Sequence, residues 1–212
     1  MTTAAKQRNS TAMSLHTEKS PRPALDTGLA LLLLHASEHM HAAHIHLRPV
    51  CESDADVIAR IYASSRDEEM QLVDWPLAQK TAFLEQQSAL QRNHYLKHYP
   101  AAQYYLIERE DQVLARIYWQ WQGLSQAAPF SAPGSRPELR LMELTVLTAF
   151  RGQGIASTLV RALQHEAAIQ GACMTLHVQI GSPAQAIYAH LGFLEVSTSH
   201  SQGLYQLMHW SA

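Results

Sequence analysis

The stretch ELTVLTAFRGQGIASTLVRAL, residues 143–163, is the most informative part of the sequence. It joins an apolar, strand-like run to a helix-like pattern through a corner that contains Gly152 and Gly154. Ile155, Leu159 and Leu163 share one face of the predicted helix. Glycines lack a Cβ, so the unpaired amides of the first helical turn stay accessible at the positive end of the helix dipole. Such a corner favours phosphate binding, although a tight turn without a ligand would have the same pattern.

The spacing of the corner separates it from two common phosphate loops. A Walker A loop ends in GK[ST], which is missing, and a dinucleotide fingerprint would need glycine where Ser157 stands. What remains is Arg151-x-x-Gly154-x-Ala156. This motif resembles the acetyl-CoA pyrophosphate loop, Q/R-x-x-G-x-G/A, of the GNAT acetyltransferase superfamily.

The resemblance extends along most of the chain. LMELTVLTAFRGQGIA, 141–156, resembles the fourth strand and loop of the family, and CMTLHVQIGSPAQAIYAHLGF, 173–193, resembles its fifth strand, fourth helix and Y-x-x-L-G-F signature. The order of predicted elements over 45–210 also fits. The resemblance implies a mixed α/β sheet, the GNAT acyl-CoA N-acyltransferase fold, in which the two central strands splay apart to admit the cofactor.

Composition bounds the remaining alternatives. A chain of 212 residues, 47% of them hydrophobic, suits one sizeable domain, and a net charge of −2 gives no reason to expect a nucleic-acid partner. The two cysteines, Cys51 and Cys173, lack metal or CxxC spacing, so a reducing, cytoplasmic compartment is expected. No stretch approaches the roughly 20 apolar residues of a membrane span, and no membrane partner is expected.

Two parts are predicted along the chain. Residues 1–44 form an N-terminal extension, a disordered tail over 1–24 followed by a short helix over 25–43, and residues 45–212 form the acetyltransferase domain. The patterns predict strands at 45–50, 103–108, 113–122, 139–148, 173–180, 193–198 and 203–210, helices at 53–64, 76–98, 153–170 and 182–191, and a loop at 125–137. Capping boxes are predicted from Ser53 to Asp56 and from Ser182 to Gln185.

The family resemblance implies the cofactor site. Acetyl-CoA is the expected co-substrate, and no metal is expected. The implied contacts are Val146, Leu147, Thr148, Arg151, Gly152, Gln153, Gly154, Ile155, Ala156 and Ser182. The amides of Val146 and Leu147 would bind the oxyanion. Many members have asparagine where Ser182 stands, which leaves its contact with the pantetheine arm in doubt.

Two side chains are candidates for acid and base. Tyr188 matches the tyrosine that points at the cofactor sulfur in many members, so it is the predicted general acid; a packing role in the core is the alternative. Glu143 interrupts an apolar strand, where a carboxylate is costly unless it is paired or used. It is the predicted general base, and a salt bridge with Arg116 or Arg140 is the alternative. His177 is a weaker candidate.

Other features have more than one interpretation. His35 and His39 have metal-compatible spacing, but no carboxylate or cysteine completes a site. The acidic run 67–69 could attract a cationic amine or be a solvated loop. His94, Tyr95, His98 and Tyr99 form a packing stripe or line the acceptor site. Trp119 and Trp121 share a strand face and are expected in the core or an interface.

The predicted activity is transfer of an acetyl group from acetyl-CoA to a primary amine, by direct attack in a ternary complex. A non-catalytic acyl-CoA-binding regulatory module and a transferase for a longer acyl-CoA are the alternatives. The acceptor, a small molecule or a peptide amine, is not specified by the sequence. The sequence also leaves a homodimer open.

Overall fold

The computed structural model describes residues 45–123, 136–196 and 203–212. The strands are β1 (Ile45–Pro49), β2 (Gln103–Arg109), β3 (Gln112–Gln122), β4 (Glu138–Val146), β5 (Cys173–Gln179), β6 (Leu194–Glu195) and β7 (Tyr205–Ser211). The α-helices are α1 (Ala55–Ser64), α2 (Asp67–Gln71), α3 (Leu77–His98), α4 (Ile155–Ile169) and α5 (Pro183–His190). The predicted tail, the helix over 25–43 and residues His35 and His39 lie outside the described residues, as does most of the predicted loop.

The described strands form one mixed sheet in the order β1-β2-β3-β4-β5-β7-β6. Strands β4 and β5 are parallel because α4 connects them in a crossover, and the other neighbouring pairs are antiparallel. The predicted mixed α/β class is confirmed. Within the described segments, no helix combines the length and apolar character that crossing a membrane requires.

Both faces of the sheet are covered, which explains the nearly continuous apolar runs of the central strands. On one face, α4 packs against β4 and β5 in the larger core, which includes Ile107, Leu159 and Met174. On the other face, Ile58 and Ile61 of α1 pack against Leu106. Trp119 is buried and stacks on Tyr105 at 5.2 Å between ring centroids, and Trp121 packs against the larger core, so both tryptophans are core residues.

The central strands pair over only part of their length. The β4–β5 register runs from Glu138 opposite Cys173 to Leu141 opposite Leu176. Beyond that point β4 continues to Val146 and β5 to Gln179 without pairing to each other. The predicted splay of the central strands is therefore confirmed, and it opens a gap at the carboxyl ends of two parallel strands.

A bulge in β4 coincides with the start of this gap. Tyr118 lies opposite Glu143 and Trp119 opposite Leu141, so Met142 is an extra residue on β4. Leu141 and Leu144 both pack into the larger core, although they are three positions apart. The bulge therefore shifts the alternation of the strand and directs Glu143 to the face covered by α1 and α3.

The beginnings of two helices differ from the predicted capping boxes. A 3-10 turn over Glu52–Asp54 precedes α1, and the capping box runs from Cys51 to Asp54 instead of from Ser53 to Asp56. The Asp54 carboxylate accepts the Cys51 amide at 2.7 Å. Arg48 holds that carboxylate from β1 with two bonds of 2.9 Å, which fixes it at this turn. At α5, the Gln185 side chain accepts the Gly181 amide at 2.7 Å, but Ser182 makes no side-chain capping bond.

Three further predictions were wrong in detail. Residues 67–71, predicted as a connection, form the short helix α2. The strand predicted over 173–180 ends at Gln179, and Ile180, which follows it, is 51% exposed. The strand over 139–148 ends at Val146, because Thr148–Phe150 form a 3-10 turn.

Candidate active site

The corner between β4 and α4 is longer than the sequence pattern indicates. The helix begins at Ile155 rather than at Gln153, with Gly154 as its N-cap. Gly152 and Gly154 have φ angles of 75° and 77°, the left-handed region that other residues adopt only with strain. This backbone conformation explains why the corner contains glycine at both positions.

The same corner leaves its amides accessible. A Cβ built on Gly152 or Gly154 would meet no atom within 4 Å, so the space in front of the loop is open. Gly154 has no side chain to cap the helix, and the first-turn amides, including those of Ile155 and Ala156, have no intrahelical partners. Ile155 itself is buried, so its side chain anchors the helix in the core. Gln153 is exposed on the loop.

Arg151 fastens this loop to the sheet. Its Nε donates to the Val146 carbonyl at 3.1 Å, and its Nη2 donates to the Ser64 carbonyl at the end of α1 at 3.1 Å. The guanidinium therefore links β4, the loop and α1. A contact of Arg151 with the cofactor stays a prediction, and positioning of the loop is the role that the structure adds.

The amides at the end of β4 are not equivalent. The Leu147 amide donates to the Leu114 carbonyl of β3 at 2.9 Å. It is therefore already hydrogen-bonded, unlike the free amide that the prediction of an oxyanion donor requires. Consecutive peptide groups of a strand point to opposite edges, which directs the Val146 amide toward the gap. The bond from Arg151 to the Val146 carbonyl lies on that same edge. Of the two predicted donors, Val146 is the one with suitable geometry.

A cavity of about 580 Å³ occupies the gap between β4 and β5. It brings together the predicted residues Glu143, Tyr188, Ser182 and His177. Its opposite wall contains the aromatic rings of His94, Tyr95 and Tyr99 on and after α3. Three members of the predicted stripe therefore border this site. Members of the stripe also pack on one another, as His94 and His98 do with 4.6 Å between their ring centroids.

Tyr188 reaches this cavity from α5. Its ring packs edge-to-face on Phe193 at 5.8 Å, and its carbonyl accepts the Phe193 amide at 3.0 Å, which fixes the signature segment. Burial, and secondly the negative charge of Glu143, raise the pKa of Tyr188 above its ordinary value. The phenol therefore remains protonated at neutral pH, as a general acid must.

Glu143 is held by a polar network under the cavity. Its Oε1 lies 3.1 Å from Nη2 of Arg116, whose side chain is 2% exposed, and it accepts the Thr145 hydroxyl at 2.6 Å. Gln91 bridges the pair from α3, accepting from Arg116 at 3.0 Å and donating to Glu143 Oε2 at 3.4 Å. The salt bridge considered as the alternative from sequence is present, and the carboxylate still lines the cavity.

Ser182 differs from the other cavity residues because its hydroxyl has no partner. The Oγ atom is buried, lines the cavity and forms no hydrogen bond with the described residues. Burying a polar atom without a hydrogen-bond partner costs free energy, so the unsatisfied Ser182 hydroxyl is a candidate for a hydrogen bond with a ligand. The contact of Ser182 with the pantetheine arm stays a prediction.

Sequence reasoning did not identify the two arginines that line the cavity. Arg66 and Arg140 line the cavity, whereas Asp67, Glu68 and Glu69 do not. Glu69 instead pairs with Arg66 at 2.9 Å. Arg140 lies between the buried Leu139 and Leu141 on β4, a signal that could have placed its side chain on the face opposite to these leucines.

Comparisons with known proteins agree with this geometry. The model of the acetyltransferase (GNAT) family matches residues 68–193, more than half of the chain. No curated protein sequence is a significant match to it.

Solved structures share the fold at low sequence identity. An acetyltransferase from Thermus thermophilus is 15% identical, with 79% of this chain and 97% of that chain covered and a TM-score of 0.53. PaiA N-acetyltransferase from Thermoplasma acidophilum, in complex with coenzyme A, is 11% identical, with 79% and 99% covered and a TM-score of 0.53. A structure from Corynebacterium glutamicum, described as a histone acetyltransferase and related acetyltransferase, is 20% identical, with 79% and 96% covered and a TM-score of 0.51. From the family match, the glycine corner and the splayed strands together, this chain belongs to the GNAT acetyltransferase family.

Proposed function

We propose that this protein transfers an acetyl group from acetyl-CoA to a primary amine. The observation that carries the proposal is the gap between β4 and β5, which holds a cavity lined by both Tyr188 and Glu143. The glycine corner follows the end of β4, the strand that forms one side of this gap. The pyrophosphate would bind the amides of residues 152–156, and the pantetheine arm would follow the gap past Ser182. The thioester would then lie where the acid, the base and the Val146 amide converge.

The residues divide the chemistry among them. The amine nitrogen attacks the thioester carbonyl carbon, and the Val146 amide donates to the oxygen that becomes negative. When the carbon–sulfur bond breaks, Tyr188 gives its proton to the leaving thiolate. Glu143 accepts the proton of the amine, directly or through a water. Arg116 supports this role by fixing the carboxylate at 3.1 Å.

Direct attack is favoured over a covalent acyl-enzyme. Both cysteines lie in described segments, and neither lines the cavity. Cys173 is at the start of β5, where burial raises the pKa of its thiol and makes it a poorer nucleophile. The mechanism therefore requires both substrates to be bound together.

A thiol-release assay with acetyl-CoA and a panel of amines tests the proposal. Amine-dependent release of free coenzyme A, with a product heavier by one acetyl group in mass spectrometry, is expected. Binding of acetyl-CoA without release for any amine would favour the regulatory module instead. Faster release from propionyl- or butyryl-CoA than from acetyl-CoA would favour the longer acyl donor.

A further inference from the structure

The charged groups around the cavity give information on the acceptor. The lining contains the guanidinium groups of Arg66 and Arg140, and its carboxylate among the described residues is Glu143. The charge of Glu143 is compensated from behind by the buried Arg116 at 3.1 Å. The cavity therefore presents an excess of positive charge to a ligand, contrary to the acidic rim that the run 67–69 suggested.

Arg140 is the less compensated of the two cations. It is half-buried on β4, opposite Thr175 and next to the point where the strands separate. Among the described residues it forms no ion pair, whereas Arg66 is paired with Glu69 at 2.9 Å. The neighbouring His177 is close enough to Arg140 to respond to its charge. Burial and then Arg140 lower its pKa, and the opposing effect of Glu138 is weaker.

The lowered pKa leaves His177 neutral at pH 7, so it is a hydrogen-bonding group rather than a second cation. The aromatic wall of His94, Tyr95 and Tyr99 faces the same space. The cavity thus offers a cation with a neutral polar neighbour on one side and aromatic rings, inclined to one another by 61°, on the other.

We propose that the acceptor is an amine that also carries a carboxylate, such as an α-amino acid, and that Arg140 binds this carboxylate. This inference rests on the proposed function. A guanidinium matches a carboxylate with two parallel hydrogen bonds, and partial burial strengthens the contact. Polyamines and other purely cationic acceptors would meet repulsion at Arg140. Arg140 is thus a specificity residue that contacts the carboxylate of the acceptor rather than its reacting amine.

The test compares amino acids with their amides, for example L-phenylalanine with L-phenylalaninamide, across several side chains. Each pair keeps the α-amine and removes the negative charge. We expect kcat/KM to favour the acid about tenfold or more, as for hydrogen bonds to charged groups. Arg140→Gln should bring the ratio near one without changing KM for acetyl-CoA, and Arg140→Lys should retain part of it. Arg92→Gln, on α3 outside this cavity, is the matched control and should keep the wild-type ratio.

The outcomes separate this inference from the function on which it rests. If amides or simple amines react as well as the acids, or if Arg140→Gln keeps the preference, the inference is overturned while amine acetylation stands. If no amine releases thiol, the proposed activity fails. In that case, calorimetry compares the affinities of N-acetyl-L-phenylalanine and its amide for the coenzyme A-saturated protein, and so tests the carboxylate site without turnover. Tighter binding of the acid that Arg140→Gln abolishes upholds the carboxylate site, and equal binding refutes it.

Discussion

The ion pair between Arg116 and Glu143 is the feature whose removal has the most clearly calculable cost. Glu143→Gln keeps the size of the side chain but leaves the Arg116 charge, 2% exposed, without its counter-charge at 3.1 Å. Removing one partner of a buried pair costs about 3–5 kcal/mol. Glutamine can still accept hydrogen bonds from Arg116 and Thr145, so a free energy of unfolding about 3 kcal/mol lower is expected, near the bottom of that range. In a chain of this size, that corresponds to a melting temperature lower by roughly 6–12 °C.

Urea unfolding of single and double variants measures this cost. Arg116→Met combined with Glu143→Gln removes both charges, and we expect it to recover the wild-type free energy to within about 1 kcal/mol. Glu85→Gln, exposed on α3, is the control and should change it by about 0.5 kcal/mol or less. A loss under about 1 kcal/mol for Glu143→Gln, with no coupling in the double variant, would refute the reasoning. Activity of Glu143→Gln has to be measured well below its melting temperature, since partial unfolding would imitate loss of a base.

Three other changes probe the active site. Gly154→Glu places a carboxylate in the open space before the loop and should abolish acetyl-CoA binding in calorimetry. Gly154→Ala is the control that separates the effect of backbone strain from that of charge. Unchanged affinity of the Gly154→Glu variant would contradict the phosphate site. Tyr188→Phe should lower kcat by about 100-fold or more with little change in KM for acetyl-CoA, and full activity would remove Tyr188 as the acid. Because its pKa is raised above about 10, the wild-type kcat should not fall through loss of this proton below pH 10, and an alkaline limb near pH 8 due to Tyr188 would be inconsistent with that burial. Ser182→Ala removes a hydroxyl that has no protein partner among the described residues, so the melting temperature should stay the same while KM for acetyl-CoA rises about twofold to tenfold; a lower melting temperature with unchanged KM would count against the ligand contact.

The local parts of the site were predictable from the sequence. The glycine corner and the signature segment around Tyr188 are each a continuous stretch of sequence, and neighbouring residues set the backbone conformation that each requires. The strand predicted over 173–180 likewise corresponds to β5, whose alternate residues Met174, Leu176 and Val178 lie in the core. The mixed sheet, by contrast, was expected from the family resemblance alone, and the crossover that makes β4 and β5 parallel was not predicted from the spacing.

The remainder depends on pairings between distant segments. The bulge at Met142 exists only because β3 and β4 pair with unequal numbers of residues, so it leaves no local pattern in β4. That bulge decides that Glu143 faces Arg116 rather than the larger core. The two cavity arginines were missed for a related reason. Arg66 reaches the cavity through the turn before α2, a helix too short to give a periodic signal, and the exposure of Arg140 depends on where β5 separates from β4.

In the proposed mechanism, main-chain amides at the glycine corner bind the diphosphate of coenzyme A, and the position of the thioester depends on this contact. A crystal structure of the complex with coenzyme A shows where the diphosphate binds. Density for the diphosphate is expected within hydrogen-bonding distance of the amides of residues 152–156, with the pantetheine arm between β4 and β5 and beside Ser182. A fully occupied coenzyme A bound at another surface, with that corner empty, would contradict the account.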